Sequence, residues 1–543
     1  MAEAAPTLLS DDAVRRFITD GFLILTPDVP AFVHERIDER LLWMVHKESN
    51  PGNNVLPMIP EMYEVLNSSV VRGALTGILG PDYVLHPHRF VHNNEPGKID
   101  DSGAARVGEG SHSFVGWHQD DHSPLARPRH HYPRYAMILY YPQTTPVEMG
   151  PTQVIPATHL ARSHSEADRK RGLQAPGGAG TCVLTHFDIV HGGSLNLSDR
   201  TRNMAKFVFA RCSNPGSPSW NNRVSEWFSP REHLSPVENT TVWRHHWEWM
   251  SGRDPMRFRP ARLDEHGVCS AIDLVDSCDL QHKIDAVNQL GCSDDPAEIL
   301  ALINLFNAEE PVRQAAIYNL ACVGAPAVEH LLKELTRPLP NKSSSASSCW
   351  NEGAVVMEDA AYTLAAIGMP AVTGLTNMLG SKSDWVRINA AFALGEIGTD
   401  ACAAMPALVR LLRDDSHAVV RTALDAIGQI RIGACAALPE IERLLTAPIN
   451  SFPADWVAPQ RRKWTCLGQV RLNAVMALVR MGIEADRAEE WLPEVLDDEC
   501  GYVGGFGIEY LLRRNTPSAQ YAALQYLYRH RWDNSLRVGM RTF

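Results

Sequence analysis

The sequence lacks the features that would assign it at once to several classes of protein. Its 11 cysteines include no C-x-x-C pair and no compact cluster, which argues against a structural zinc site or disulfide scaffold and favours a reducing, cytoplasmic location. No run of about 18 apolar residues occurs and the N-terminus has no apolar signal core, so we expect neither a membrane span nor export. With 51 Lys and Arg against 63 Asp and Glu, and no basic cluster, we expect no nucleic-acid partner.

The chain is too long for one ordinary core, and its histidines are unevenly placed. It has 543 residues, of which 45% are hydrophobic and 21% charged, so we expect two or more folded domains. Of the 22 histidines, 19 lie before Lys283. Any site built from imidazoles is therefore expected in the first half of the chain.

From about Lys283 the chain repeats an Ala- and Leu-rich unit. One unit reads Val386-Arg-Ile-Asn-Ala-Ala-Phe-Ala-Leu-Gly-Glu-Ile-Gly, with apolar residues at helical spacing, and a second amphipathic helix from Met405 to Leu412 follows it. Such a hairpin cannot bury its apolar face alone, so neighbouring units must stack into an α-solenoid. The units resemble HEAT-like repeats. Others begin at Val312, Val420 and Val470, and a degenerate one runs from Val356 to Gly368.

The first part combines a capped helix with many short strands. Ser10 or Asp11 is expected to begin a helix that ends at Gly21. Short apolar runs then alternate with loops that contain Gly and Pro, a pattern typical of a sandwich or jelly roll. The predicted strands span residues 83–92, 135–141, 152–155, 181–184 and 203–209.

Two His-x-Asp segments are the candidate metal ligands. In an extended segment residues i and i+2 face the same way, so His118 and Asp120 would converge. A histidine from another strand, for which His191 is the candidate, would complete a two-histidine, one-carboxylate triad that leaves positions open on Fe(II). His186 and Asp188 form the alternative, although on one strand His191 would face away from them. Either motif is short enough to arise by chance.

Two arginines follow His191 at the start of an apolar strand. Arg200 and Arg202 precede Asn203-Met-Ala-Lys-Phe-Val-Phe. A guanidinium at the mouth of a barrel can hold a carboxylate with two parallel hydrogen bonds, which a lysine does less well. Both arginines are therefore candidates for binding an acidic cosubstrate.

These segments together resemble the phytanoyl-CoA dioxygenase family of Fe(II)- and 2-oxoglutarate-dependent oxygenases. The resemblance covers roughly residues 8–215 and implies a double-stranded β-helix, a jelly roll, so that the whole chain would be an α+β protein of two unlike domains. It rests on Asp20-Gly-Phe, Trp117-His-Gln-Asp, Met149-Gly-Pro, Ile155-Pro-Ala-Thr-His and the stretch from His186 to Arg202.

The resemblance implies roles for particular residues. His118, Asp120 and His191 would hold Fe(II), which favours this set over the alternative. Arg202, eleven residues after His191, would pair with the distal carboxylate of 2-oxoglutarate in preference to Arg200.

One departure from the family pattern concerns a hydroxyl group. The family often has His-x-Ser where this chain has His191-Gly-Gly, and Ser194 or Ser198 would replace the missing serine in cosubstrate binding. His186 matches a family histidine for which a structural role is expected.

The resemblance implies an enzyme that uses O2 and 2-oxoglutarate to hydroxylate an unactivated C–H bond of a small organic or natural-product-type substrate, with release of succinate and CO2. Asp120 disfavours halogenation, because related halogenases have a small residue in place of this carboxylate. The alternative is a HEAT-repeat scaffold with a non-catalytic oxygenase-like domain. The repeats are expected to pack on the first domain, to self-associate or to bind a protein.

The domain boundaries are predicted from the change in composition. Residues 1–262 would form the oxygenase domain, with a Trp-rich extension over 213–262, and residues 263–282 a linker. Residues 283–543 would form the repeat domain. The Gly-, Ser- and Asp-rich segment 97–116 would be either a lid over the substrate or a surface insertion.

Overall fold

The computed structural model describes residues 4–47, 50–99, 105–106, 116–120, 127–255, 279–291, 294–337, 355–459 and 464–530. The predicted boundary between residues 262 and 263 lies outside these ranges. So do most of the predicted linker 263–282 and most of the segment 97–116.

The first part is built from short strands with helices around them. Its described strands are β1 Phe22–Leu25, β2 Tyr83–Asn94, β3 Lys98–Ile99, β4 Ala105–Arg106, β5 Tyr135–Tyr140, β6 Gln153–Val154, β7 Leu173–Gln174, β8 Cys182–His186, β9 His191–Gly192 and β10 Arg202–Arg211. Its described helices are α1 Asp11–Asp20, α2 Ala31–Lys47, α3 Val55–Met58, α4 Met62–Leu66, α5 Ser69–Leu79, α6 Glu166–Arg169 and α7 Thr240–Met250.

Two antiparallel sheets form the predicted jelly roll. The larger has the strand order β1-β8-β5-β10-β2, and the smaller has the order β7-β6-β9. An isolated bridge from His118 to His191 extends the smaller sheet. Every residue of β5, β8 and β10 is buried, so the larger sheet is covered on both faces. The smaller sheet covers the inner face, and helices cover the outer one.

The first helix begins and ends as predicted. The Ser10 side chain accepts a hydrogen bond from the Ala13 amide, which caps the N-terminus of α1. Gly21 ends the helix with a φ of 84°, and a Cβ there would lie 2.6 Å from Nδ1 of His159. Only glycine fits this turn, which leads directly into β1.

The second part is a stack of helical hairpins. Its described helices are α8 Leu280–Leu290, α9 Pro296–Asn304, α10 Glu310–Val323, α11 Val328–Leu335, α12 Asp359–Ile367, α13 Val372–Met378, α14 Asp384–Ile397, α15 Met405–Leu411, α16 His417–Ile430, α17 Leu438–Thr446, α18 Ala454–Val457, α19 Cys466–Met481, α20 Gly501–Arg514 and α21 Pro517–Arg529. The first helix begins before the predicted residue 283, because the Asp279 side chain caps it by accepting a hydrogen bond from the His282 amide at 2.9 Å.

The inner helices of the solenoid pack against the first domain. Glu396 on α14 accepts hydrogen bonds from Nδ1 of His130 at 3.0 Å and from Nε of Arg134 at 3.1 Å. Arg480 on α19 donates to the Tyr135 hydroxyl at 3.1 Å. All five side chains are buried. Repeat proteins commonly bind partners on their inner, concave surface. In this chain the inner helices contact the chain's own first domain.

The Trp-rich region lies between the two parts. Trp220 and Trp247 are buried with their ring centroids 5.0 Å apart, and Trp249 stacks on Tyr132 at 4.1 Å. Trp249 joins α7 to the jelly roll, and the His245 ring of α7 lies 4.6 Å from that of Tyr318 on α10, so the extension has a structural function.

Two helical stretches have the length and apolar composition of a membrane span, Asp384–Leu411 and Cys466–Glu490. Each includes a repeat helix, and 61% and 83% of their respective apolar windows are buried inside the fold. Their apolar residues therefore serve largely to pack neighbouring repeats against each other.

Candidate metal centre

His118 and His191 come from separate segments that pair directly. The His118 amide donates to the His191 carbonyl at 3.0 Å, and the His191 amide donates back to the His118 carbonyl at 2.9 Å. Gln119 faces the other way, and its Nε2 donates to the Asp188 carbonyl at 2.7 Å. This anchor fixes the segment so that Asp120 lies on the same side as His118.

The structure brings His118, Asp120 and His191 together. Their ligand atoms all lie within 4.8 Å of one another, and no other set of three His, Cys, Asp or Glu side chains in the described ranges is arranged to hold a metal. Nε2 of His118 is 3.5 Å from Oδ1 of Asp120, and Nε2 of His191 is 3.7 Å from Oδ2. The three groups surround a space suited to one ion.

Backbone carbonyls orient both imidazoles. Nδ1 of His118 lies 2.8 Å from the Gly116 carbonyl, and Nδ1 of His191 lies 3.1 Å from the Ile189 carbonyl. A carbonyl can only accept, so each Nδ1 carries the proton and each Nε2 can offer a lone pair to a metal. A hydrogen bond from Nδ1 to a carbonyl commonly orients a histidine that binds a metal through Nε2.

The protonation states of the three groups favour binding of a cation. Burial alone would raise the pKa of Asp120, but Lys206 and the two imidazoles outweigh it and hold this pKa well below its usual value. Burial lowers the pKa of His191 to about 4, so its ring is neutral near pH 7. Burial also opposes protonation of His118, but its hydrogen bond to Asp120 raises its pKa, so a metal would displace a proton there.

Lys206 is a site residue that the sequence analysis missed. Its Nζ lies 2.8 Å from Oδ2 of Asp120, and its side chain is buried. It lies in the middle of β10, and because alternate residues of a strand share a face, Arg202, Met204 and Lys206 all face the same way. A single charge inside the apolar run from Asn203 was the signal that could have identified it.

Arg202 is buried on the face of β10 that also carries Lys206, and it has no acidic partner among the described residues. Its Nε and Nη1 have no hydrogen-bond partner among the described residues, and its guanidinium lies over the Tyr141 ring at 5.8 Å. Asn94 is its cross-strand neighbour, and Asn94 Nδ2 donates to the Ser194 carbonyl at 2.8 Å. The Ser194 hydroxyl is also buried and unpartnered within the described ranges. These unused donors fit a bound carboxylate.

Arg200 and Ser198 lie elsewhere. The Arg200 side chain is 62% exposed and lies 3.7 Å from Asp38. The Ser198 hydroxyl donates to Asn196 at 2.7 Å and holds the surface loop. The structure thus brings Arg202 and Ser194 to the cavity but places Arg200 and Ser198 outside it.

In the second His-x-Asp segment, His186 and Asp188 are bonded to other groups of the protein and do not join the metal cluster. Asp188 forms a buried ion pair with Arg127, and Nδ1 of His186 accepts from the Asp188 amide at 3.2 Å. Burial lowers the pKa of His186 to about 3. The His186 ring packs 5.2 Å from that of His159, away from His191. A turn after β8 separates His186 from β9, so the two histidines do not share a strand.

The repeat domain contacts the wall of this cavity. Phe90 on β2 is the cross-strand neighbour of Lys206. His88 and His92 lie two residues on either side of Phe90, so they are on the same face of the sheet as Lys206. Nδ1 of His88 lies 2.8 Å from the Tyr502 hydroxyl on α20. Beyond Tyr502 a groove of about 1160 Å³ separates β2 from the last repeats, on the opposite side of β2 from the three ligands.

Comparisons with known proteins agree with this architecture. Residues 71–204 match the family described as phytanoyl-CoA dioxygenase, and residues 372–454 match HEAT repeats. The chain therefore carries a domain of the phytanoyl-CoA dioxygenase family, fused to HEAT repeats. No curated protein matches the chain.

Several solved structures resemble the first part. The α-ketoglutarate-dependent carbocyclase SnoK from nogalamycin biosynthesis is 18% identical over 38% of this chain and 88% of its own, with a TM-score of 0.30. AviO1 from Streptomyces viridochromogenes Tue57 is 18% identical over 38% of this chain and 96% of its own, with a TM-score of 0.29. EctD from S. alaskensis is 16% identical over 43% of this chain and 86% of its own, with a TM-score of 0.30.

Proposed function

We propose that the protein is an Fe(II)- and 2-oxoglutarate-dependent dioxygenase that hydroxylates a small organic substrate. The family domain and the clustering of His118, Asp120 and His191 support this proposal. Two imidazoles and one carboxylate leave the remaining positions of a ferrous ion free for a bidentate cosubstrate and O2.

The observation that carries the proposal is the buried guanidinium of Arg202, whose Nε and Nη1 have no hydrogen-bond partner among the described residues. An isolated buried cation is unfavourable, and burial lowers the pKa of Arg202. Such a group is retained where a ligand supplies the missing anion. The distal carboxylate of 2-oxoglutarate would supply it and would accept two parallel hydrogen bonds from the planar fork.

Each residue would have a defined task. His118 and His191 would present their Nε2 lone pairs, and Asp120 its carboxylate, to the ion. Arg202 and the Ser194 hydroxyl would orient the cosubstrate, while the apolar side chains of the larger sheet exclude water. Iron, 2-oxoglutarate and O2 would together supply the oxidising chemistry, with succinate and CO2 as products.

An anaerobic titration tests this function. Adding Fe(II) and then 2-oxoglutarate to the full chain should produce the weak visible charge-transfer band of the Fe(II)–2-oxoglutarate complex. His118→Ala should abolish the band, because it removes a ligand. His186→Ala is the matched control, since this histidine lies outside the cluster, and it should retain the band. If the band never forms and no candidate substrate yields succinate, the chain would instead be a scaffold.

A further inference from the structure

We propose that Lys206 binds a carboxylate of the substrate, so that the enzyme acts on small carboxylic acids. This inference rests on the proposed function and extends it to the substrate class. It is carried by the position of Lys206, by its unused hydrogen-bond donors and by the charge balance of the cavity.

Lys206 is separated from the end of the cavity where the cosubstrate would be anchored. Arg202 and Lys206 are four residues apart on β10 and face the same way. At about 3.3 Å per residue their Cα atoms are roughly 13 Å apart. Arg202 lies beside Asn94 and Tyr141, whereas Lys206 contacts Asp120. Arg202 therefore lies at the anchoring end for the cosubstrate, and Lys206 lies at the other end, beside the metal ligands.

The Lys206 ammonium is incompletely bonded. Within the described ranges, Asp120 is the one acceptor that its Nζ contacts, although an ammonium has three donors. The neighbouring positions offer little else. Phe90 and Leu139 are its cross-strand partners, and burial lowers the pKa of His88 to about 4 and that of His92 well below its usual value. Neither imidazole can supply a negative charge to pair with the ammonium.

The charges of the loaded cavity would not balance without a further anion. A ferrous ion and doubly ionised 2-oxoglutarate cancel each other, and Asp120 cancels Arg202. The ammonium of Lys206 then leaves one positive charge in a buried cavity, which is costly unless it is paired. One carboxylate restores neutrality. A doubly charged phosphate would leave one negative charge, so the balance favours a carboxylic acid.

A simpler function for Lys206 would be to hold Asp120 in place. Both functions use the same contact at 2.8 Å, but they predict different results. If Lys206 only positions the ligand, its loss would weaken Fe(II) binding and would affect neutral and anionic ligands equally. If it binds substrate, its loss would specifically weaken the binding of carboxylates.

Matched carboxylates and amides distinguish these functions. The probes are decanoate with decanamide, 3-phenylpropanoate with 3-phenylpropanamide, and N-acetyl-leucine with its amide. Each is titrated anaerobically into the full chain loaded with Fe(II) and 2-oxoglutarate, and binding is followed by perturbation of the charge-transfer band. At least one carboxylate should bind about 30-fold or more tightly than its amide, the minimum expected for a buried charge pair.

Two substitutions complete the test. Lys206→Met should weaken binding of that carboxylate by about 30-fold while the Fe(II)–2-oxoglutarate band still forms, and Lys206→Arg should restore part of the affinity. The proposal is overturned if no carboxylate perturbs the band, if acid and amide bind equally, or if Lys206→Met loses Fe(II) binding altogether. Absence of the band in the unaltered protein would instead refute the proposed function.

Discussion

The two His-x-Asp segments share a pattern but have opposite environments. On the cavity side, His118 and Asp120 face another imidazole and Lys206, and the donors of nearby Arg202 are unpartnered within the described ranges. On the side facing the repeats, Asp188 is neutralised by Arg127.

The difference shows what separates a reactive motif from a structural one. Along the repeat-facing side, Arg134 and Glu396 also satisfy each other. A buried charge that already has a partner stabilises the fold and has little capacity left for a ligand. The cavity side keeps donors available, and that property, more than the sequence motif, identifies the site.

Removing the repeats should have the largest effect. A chain ending at Arg262 would leave His130 and Arg134 without Glu396, and would remove Arg480 from the buried Tyr135 hydroxyl. We expect no soluble folded monomer, as judged by solubility, gel filtration and circular dichroism. A soluble monomer that still binds Fe(II) would show that the repeat-facing side is not needed for folding.

Asp188→Asn should strongly destabilise the fold. It leaves the buried Arg127 guanidinium without its charge partner, at a cost of about 3–5 kcal/mol. Denaturant unfolding measures the change. Fe(II) binding per folded molecule should be unchanged, because Asp188 lies outside the ligand cluster. If Asp188→Asn removed metal binding from a protein of unaltered stability, the assignment of the two motifs would be reversed.

Arg202→Met should separate ligand binding from stability. It should weaken 2-oxoglutarate binding by about 30-fold or more, since a buried charge pair is lost. The free protein should be no less stable, because the guanidinium has no acidic partner in the part of the chain that the structure describes. Isothermal titration and thermal melting measure the two quantities. Arg200→Met, on the surface, is the control, and equal effects of the two substitutions would contradict our assignment.

The smallest expected effect is a loss of stability at acidic pH. Burial lowers the pKa of His246 to about 4 and that of His417 to about 4, from the usual 6.5. Below pH 6.5 the unfolded chain takes up protons that the folded chain refuses, so stability falls toward pH 4. Each histidine contributes about 1.4 kcal/mol per pH unit.

Unfolding measured between about pH 7.5 and 5 tests this dependence. His417→Leu should make the free energy of unfolding less dependent on pH, by the contribution of one histidine. The reason is that it removes one titrating group from the unfolded chain. An unchanged slope would mean that His417 takes up protons equally in the folded and unfolded chains.

Much of the fold could be predicted because it follows from local patterns. The α1 helix, a cap at Ser10 or Asp11 and the end at Gly21 were predicted from adjacent residues, and the structure has Ser10 as the cap. The repeat helices were predicted from apolar spacing, with ends marked by glycines. The helix His417–Ile430 is an exception, since it ends at Arg431 with a φ of 65° and has no glycine at that position.

The candidate site was only partly predictable. His118 and Asp120 lie close in sequence, and the family resemblance supplied His191 and Arg202. Lys206 was missed because nothing local shows which strand faces it. The contact between His88 and Tyr502 joins residues 414 positions apart, and no periodicity in either segment indicates it.

The lining of the concave surface constrains how this array can vary. A free repeat array can gain or lose units, since each one touches only its neighbours. Here Glu396, Arg480 and Tyr502 each meet one particular position on the jelly roll. Inserting or deleting one unit would shift the later contacts out of alignment, so the number of units is constrained by the positions of these contacts on the jelly roll.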